Sequence, residues 1–224
     1  MRRPLICVLL LVFLLAFPSI GFAKWDQVAV NVPIPPKIKV DPGEKVLVTL
    51  ARSTDHWRLD VGRELSRWIR RELGRSSSLK LLDVPPPPIP EQRAEALAVN
   101  DLFWRRLGED YQADIVVAAI VNFNVEDRSG YMETDSIHPI TGQTYRSTQY
   151  VERTGFKMRV HIFFFKGDNG ALLHNDIWTE ERILDNRYAE DLNVLFELLE
   201  GMRKKLLGVV VPLVVAEPRY IWVD

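Results

Sequence analysis

Apolar positions recur along this chain at two different periods, and their alternation sets out an α/β architecture. From Asp60 onward, Val61, Leu65, Trp68, Ile69 and Leu73 recur at helical spacing, and Gly74 closes the pattern. Asp60 stands where a side chain caps a helix, and Glu64 where a carboxylate favours its positive end. A buried strand from Lys45 to Ala51 precedes this helix, and a short strand in "SLKLLDV" follows it. Glu91 to Glu109 reads as one helix, with Ala94, Leu97, Leu102, Phe103, Trp104 and Leu107 on its apolar side. It leads into a strand whose residues Ile115 through Val121 are apolar without a break.

A hairpin follows. "GFKMRVHIFFFK" alternates, "GDNG" turns, and "ALLHNDIWTEERIL" returns. A turn centred between Asp168 and Asn169 sets Lys157 opposite Glu180, His161 opposite Asp176 and Phe163 opposite His174 on one wet face. Val160 then meets Ile177 on the core face. Leu192, Leu195, Leu198, Leu199, Met202 and Leu206 make a last amphipathic helix ended by Gly208. Glu190 and Asp191 stand early in it and Arg203, Lys204 and Lys205 late, as the helix dipole favours. "VVVPLVVAEPRYIWVD" adds a last strand or two, and no internal repeat is visible. The expected fold is α/β: a mixed β-sheet with helices mainly on one face, a long β-hairpin and an elaborated loop.

Three segments fall outside these periods. "MRRP", the apolar "LICVLLLVFLLAF" and the break "PSIGFA" have the order of a secretory signal, with cleavage expected after Ala23. The alternative is a retained anchor, since Leu5 to Ala23 covers 19 residues; Pro18 and the small residues favour cleavage. Residues 24–44 read as an extended, Pro-rich segment that lies at an edge or wraps the surface, and 45–224 as a single α/β domain. "PPPPIP" at 85–90 reads as a stiff polyproline connector. The third segment, Asn122 to Tyr150, is polar yet holds Phe123, Tyr131, Tyr145 and Tyr150. A structureless loop of that length is unusual, so it is either functional or an extended hairpin.

Composition narrows the chemistry. Forty-seven per cent hydrophobic and 26% charged residues describe a globular chain. Without Arg2 and Arg3 the basic count falls from 29 to 27 against 30 acids, a balance of −3 that offers nothing to nucleic acid. Cys7, the single cysteine, lies inside the leader, too early to carry a lipid. The mature chain therefore has no disulfide, no thiolate metal ligand and no thiol nucleophile. No HExxH, GxSxG, GxGxxG or GxxxxGK[ST] pattern occurs. His161, His174 and Asp176 could approach across the hairpin as a metal site or hydrolytic centre, but a solvated sheet face accounts for the same residues. The chain is expected to act without cofactor and without catalysis.

Three stretches resemble the curli production assembly/transport (CsgG-like) family and related envelope lipoproteins. They are "VLVTLARSTDHWRLDVGRELSRWIRREL", "LGEDYQADIVVAAIV" and "MRVHIFFFKGDNGALL", within residues 44–210. The resemblance implies a periplasmic α/β unit that works by assembly. This chain departs from the family in three ways. It lacks the lipid-bearing cysteine that usually follows the signal. The first position at which pore-forming members insert a hairpin holds the polar segment, and the second, near Ile183 to Arg187, has no insertion. The resemblance thus points to an exported relative, periplasmic or outer-membrane-associated and not lipidated, without the pore hairpins. As a membrane hairpin the polar segment is disfavoured, because Glu126, Asp127, Arg128, Glu133 and Asp135 fall on both parities.

The expected work is therefore binding or assembly in the envelope, through a protein partner or self-association. Asp127, Arg128, Tyr131, Tyr145, Arg146 and Tyr150 are the expected contact residues, matching the aromatic and arginine enrichment of interfaces. The enzyme centred on His161, His174 and Asp176 is the alternative, and a small-molecule binder would need a pocket.

Overall fold

A computed structural model describes residues 24–54, 59–185 and 191–223. The expected leader at 1–23, His56 and part of the Ile183–Arg187 position lie outside the described residues. The chain divides into two compact units. In one, β1 (Lys24–Ile34) and β10 (Leu213–Val223) form a two-stranded sheet. The other, residues 34–213, holds the main sheet and all four helices among the described residues.

The main sheet is mixed. Its order is β4 (Lys80–Leu81), β2 (Lys45–Val48), β5 (Ile115–Asp127), β8 (Thr154–Lys166) and β9 (Leu172–Leu184). The short β3 (Arg52–Ser53) pairs with β5 farther along the strand. β2 runs parallel to β4 and β5, whereas β5, β8 and β9 are antiparallel. A parallel pair needs a crossover, and α1 (Val61–Ser76) supplies it between β2 and β4. Its amide at Arg63 donates to Asp60 Oδ1 at 3.0 Å, the cap the sequence predicts.

Both faces of the sheet are covered, so β5 and β8 are apolar at both parities. Ile115, Val117, Ala119, Val121 and Phe123 of β5 pack with α1 and α4 (Asp191–Val210). Val116, Ala118 and Ile120 pack with α2 (Ala94–Ala98) and α3 (Asp101–Tyr111) on the other side. Thus the two long helices share one face and the two shorter ones cover the other. On that second face Trp104 stacks on Phe165 with ring centroids 4.1 Å apart. Between the long helices, Glu72 is buried with Arg71 Nε at 3.0 Å and Arg203 Nε at 2.9 Å. Its charge is thereby compensated on both sides.

Several boundaries differ from the sequence reading. Gly74 and Gly208 end neither long helix: α1 continues to Ser76 and α4 to Val210. An internal glycine costs a helix about 1 kcal/mol, and buried Val209 and Val210 reward another half turn. The single helix expected over 91–109 is two, broken at Val99 and Asn100. Asn100 Oδ1 accepts from Phe103 N at 3.3 Å, capping the second helix, and Val99 is left exposed. The polyproline run is packed, not a free connector. Leu50 N donates to Pro87 O, Arg70 holds the carbonyls of Leu82 and Val84, and Arg52 those of Pro90 and Gln92. Ile89 is buried behind it. The polar segment 122–150 is strand along most of its length, as β5 continues to Asp127 and then β6 (Gly130–Ile137) pairs with β7 (Thr144–Val151).

The β8–β9 turn seats against α3 through glycines. A Cβ on Gly108 would strike the Gly167 carbonyl, and one on Gly170 the Asp101 carbonyl. Both obstacles are backbone, so neither can swing aside. Gly108→Ala should lower stability by about 1–3 kcal/mol through overpacking, read as a shifted urea midpoint. Gly130→Ala, which meets nothing within 4 Å, should move the midpoint far less; equal losses would show that the contact is not limiting.

Candidate functional site

The β6–β7 hairpin grows out of the centre of the sheet. Asp127 pairs with Thr154 at the end of β5–β8, and Gly130 with Val151 at the start of β6–β7, so the register continues across two residues on each side. β9 ends opposite Thr154, at Leu184. Beyond that point the ribbon is two-stranded, and with eight residues per strand it extends about 26 Å at ~3.3 Å per residue.

Its root is fastened by polar contacts. Arg128 N donates to Arg153 O at 2.9 Å, and Ser129 N to Asp127 Oδ1 at 2.9 Å. The Arg128 guanidinium lies 2.7 Å from Glu126 and 3.7 Å from Glu181, with its aliphatic stem over Gly155. Arg153 Nε donates to Asp185 Oδ1 at 2.6 Å. Asp127 and Arg128 therefore serve as root residues.

Directly paired residues share a face of a ribbon. One face holds the pairs Tyr131–Tyr150, Glu133–Thr148, Asp135–Arg146 and Ile137–Thr144. The two tyrosine rings meet edge to face at 5.3 Å. Arg146 Nε donates to Asp135 Oδ1 at 3.2 Å, and its Nη1 stands 3.5 Å from Glu133. The opposite face holds Met132, Thr134, Ser136, Tyr145, Ser147, Gln149 and Val151, with no charge. So the sequence's six residues separate: Tyr131 and Tyr150 pair near the base of one face, Arg146 lies on that face toward the tip, Tyr145 is near the tip on the opposite face, and Asp127 with Arg128 is at the root. Within the ribbon the charges Glu133, Asp135 and Arg146 occupy one face, while Glu126 and Arg128 at the root have the other parity. The uncharged face is still mostly hydroxyl and amide, unlike the apolar stripe a lipid-facing strand presents.

Sequence reasoning missed Ile137 and Ile140, which stand 70% and 88% exposed at the hairpin's tip. The signal for them was the turn itself. Gly142 adopts φ +68° and its amide donates to His138 O, while His138 N donates to Gln143 O. "HPITGQ" was readable as the bend of a hairpin.

The structure separates the candidate metal ligands. Phe165 pairs with Leu172, as a turn centred at 168–169 requires, but Phe164 pairs with His174. Leu173 is thus an extra residue on β9, a bulge. Every later pair is displaced by one: Lys157 faces Glu181, His161 faces Ile177, Ile162 faces Asp176 and Val160 faces Trp178. A one-residue shift moves side chains to the other face. His174 and Asp176 consequently sit on the α1/α4 side, where Lys37 Nζ lies 2.8 Å from Asp176. His161 lies on the α2/α3 side beside Phe163. It lines a small cavity of about 240 Å³ with Glu95, Asn122, Arg159 and Ile177. Among the described residues no group of three His, Cys, Asp or Glu is placed to hold a metal ion.

Burial pushes both imidazoles below the ordinary value of 6.5. Near His161, Glu95 opposes this shift and Arg159 adds to it; near His174, Lys37 adds and Asp176 opposes. Unfolding returns both rings to ordinary titration, so below about pH 6.5 the unfolded chain binds more protons. Stability is full above that pH and declines as pH falls through the lowered folded values. The denaturation midpoint should be lower at about pH 5.5 than at about pH 7.5, and replacing both histidines by phenylalanine should narrow the gap. An unchanged gap would assign the pH dependence to other groups.

Among the described residues no helix is long and apolar enough to cross a membrane. No family model matches the chain, and no curated protein matches it in sequence. Solved structures with similarity include the PelC dodecamer from Paraburkholderia phytofirmans, 12% identical over 81% of this chain and 96% of that one, TM-score 0.40. Lipoprotein GNA1162 from Neisseria meningitidis is 13% identical over 74% of this chain and 99% of that one, TM-score 0.38. Rare lipoprotein B from Shewanella oneidensis is 13% identical over 73% of this chain and 86% of that one, TM-score 0.28.

Proposed function

We propose that this chain is an exported, non-enzymatic module of the bacterial cell envelope that acts by protein–protein contact, with the β6–β7 hairpin as its contact surface. One observation carries the reading: a 22-residue ribbon, Gly130 to Val151, leaves the sheet with no third strand among the described residues. An isolated two-stranded ribbon is marginal in water. Here it also exposes Tyr131, Ile137, Ile140, Tyr145 and Tyr150. Tyrosine and arginine are among the residue types that carry most of the binding energy at protein interfaces, and the ribbon holds Arg146 as well as its tyrosines. Unpaired ribbon edges add main-chain donors and acceptors for a partner strand.

The finer parts of the reading rest on the sequence. Export follows from the leader expected to end at Ala23, and an unlipidated mature chain from the position of Cys7. Membership among CsgG-like envelope proteins, without their pore hairpins, follows from the three quoted stretches. The partner is another envelope protein or a second copy of the chain. The non-enzymatic reading is supported by the separation of His161 from His174 and Asp176, which lie on opposite faces of the sheet.

Replacing residues 130–151 by a short Gly-containing turn tests the surface. The shortened chain should keep the wild-type unfolding free energy within about 1 kcal/mol, because the ribbon adds nothing to either core cluster. It should lose the association that full-length protein shows by light scattering and by cross-linking in the native envelope. Tyr131→Ser with Tyr150→Ser should weaken that association in the full chain. Retention of every partner by the shortened chain would reduce the hairpin to a connection. Liposome insertion by wild type, lost on shortening, would make it a membrane element.

A further inference from the structure

One wall of α1 carries arginines on successive turns, Arg63, Arg67 and Arg70. They line a cavity of about 610 Å³ that Leu50, Asp83 and Pro86 close from the side of the proline run. That volume is in the range of small-ligand clefts. Its lining holds three guanidiniums against one carboxylate, in a chain whose formal net charge is −1.

The three arginines are held differently. Arg70 is fixed: Nη1 donates to Val84 O at 2.8 Å and Nη2 to Leu82 O at 3.0 Å, and Nη2 also stands 3.3 Å from Asp83 Oδ1. Arg63 and Arg67 touch only carboxylates one turn earlier, Asp60 at 3.2 Å and Glu64 at 2.8 Å, and their side chains are 61% and 64% exposed. Exposed pairs of this kind are weak and exchangeable. A guanidinium carries five donors in a planar fork that fits the oxygens of a phosphate. Two exchangeable forks beside a fixed third make an oxyanion site, and Leu50 and Pro86 give apolar surface for the carbon skeleton that bears the anion.

We propose that this cleft binds a phosphate group, with Arg63 and Arg67 closing on it next to the fixed Arg70. The phosphate belongs to a soluble ester or to a lipid headgroup, and the chemistry of recognition is the same. The site stands on observations separate from the hairpin.

The test uses the full-length chain in two arms. In the first, pyrophosphate is titrated while α1 amide and arginine Nε resonances are followed by NMR. In the second, the protein is floated with phosphatidylglycerol or with phosphatidylcholine vesicles. The expected result is saturable binding in at least one arm, weakened roughly tenfold or more in R63Q/R67Q through lost charge-assisted bonds, and weakened by added salt. Pyrophosphate shifts with no flotation on either vesicle point to a soluble phosphate compound; flotation with phosphatidylglycerol and not with phosphatidylcholine points to a lipid headgroup. Both substituted side chains are exposed, and matching thermal midpoints would establish that the double variant is folded. Absence of saturation in both arms overturns the proposal, as does unchanged affinity in R63Q/R67Q.

Discussion

The pairing of β5 with β8 is the constraint on which the rest of this fold depends. Thirteen residue pairs, from Ile115–Lys166 to Asp127–Thr154, hold in one register. Because successive side chains alternate, this register assigns each residue of both strands to one of two cores. A slip of one residue would exchange Phe163 and Phe165 for Phe164 and Ile162, sending every large side chain to the wrong helices. Two cores on opposite faces therefore lock a single alignment more firmly than one could. The same alignment then runs outward, unshifted, into β6 and β7. The tyrosine face of the hairpin inherits its orientation from a register chosen in the core.

What the sequence disclosed follows from how local each signal is. The α1 cap at Asp60, the apolar stripe from Val61 to Leu73 and the turn at 167–170 are short-range features, and all are found in the structure. The bulge at Leu173 was not legible, since a bulge is decided by how β9 packs and not by any residue type it demands. Its consequence was large, because one inserted residue parted His161 from Asp176. The break at Val99–Asn100 had a signal, an asparagine able to cap, but it competed with an apolar pattern that ran straight through it. The β6–β7 hairpin was half legible. Its residues were visible as aromatics among charges, while its strands were obscured because neither face is apolar, and period-two alternation is the signal by which strands are recognised.

Arginine does much of the fastening in this unit. Arg52 and Arg70 each hold two backbone carbonyls of the segment around the prolines. Proline has no amide proton, so a polyproline run has carbonyls but few donors of its own. A planar fork with several donors meets that shortage. The run is thereby fixed against the sheet, with Ile89 beneath it and Leu50 paired beside it. Pro86 becomes a rigid wall of the cleft next to α1.

The root of the hairpin completes the logic. A ribbon with no third strand has only its own hydrogen bonds to keep it straight, and such ribbons twist strongly. Here Arg128, Ser129 and Arg153, between the sheet and the ribbon, are pinned. Ser129 bonds to Asp127, Arg128 lies over Gly155, and Arg153 is tied to Asp185 at the end of β9. These contacts lie where the three-stranded support ends, the point at which bending would otherwise concentrate. A side chain at Gly155 would displace the Arg128 stem that covers it, so the absence of a side chain there is part of how the ribbon is aimed. Tyr131 and Tyr150 sit just beyond this stiff base, and Tyr145 with the tip isoleucines is carried at the far end. For the contact role proposed above, such preorganisation adds affinity, since less freedom is lost when a partner docks.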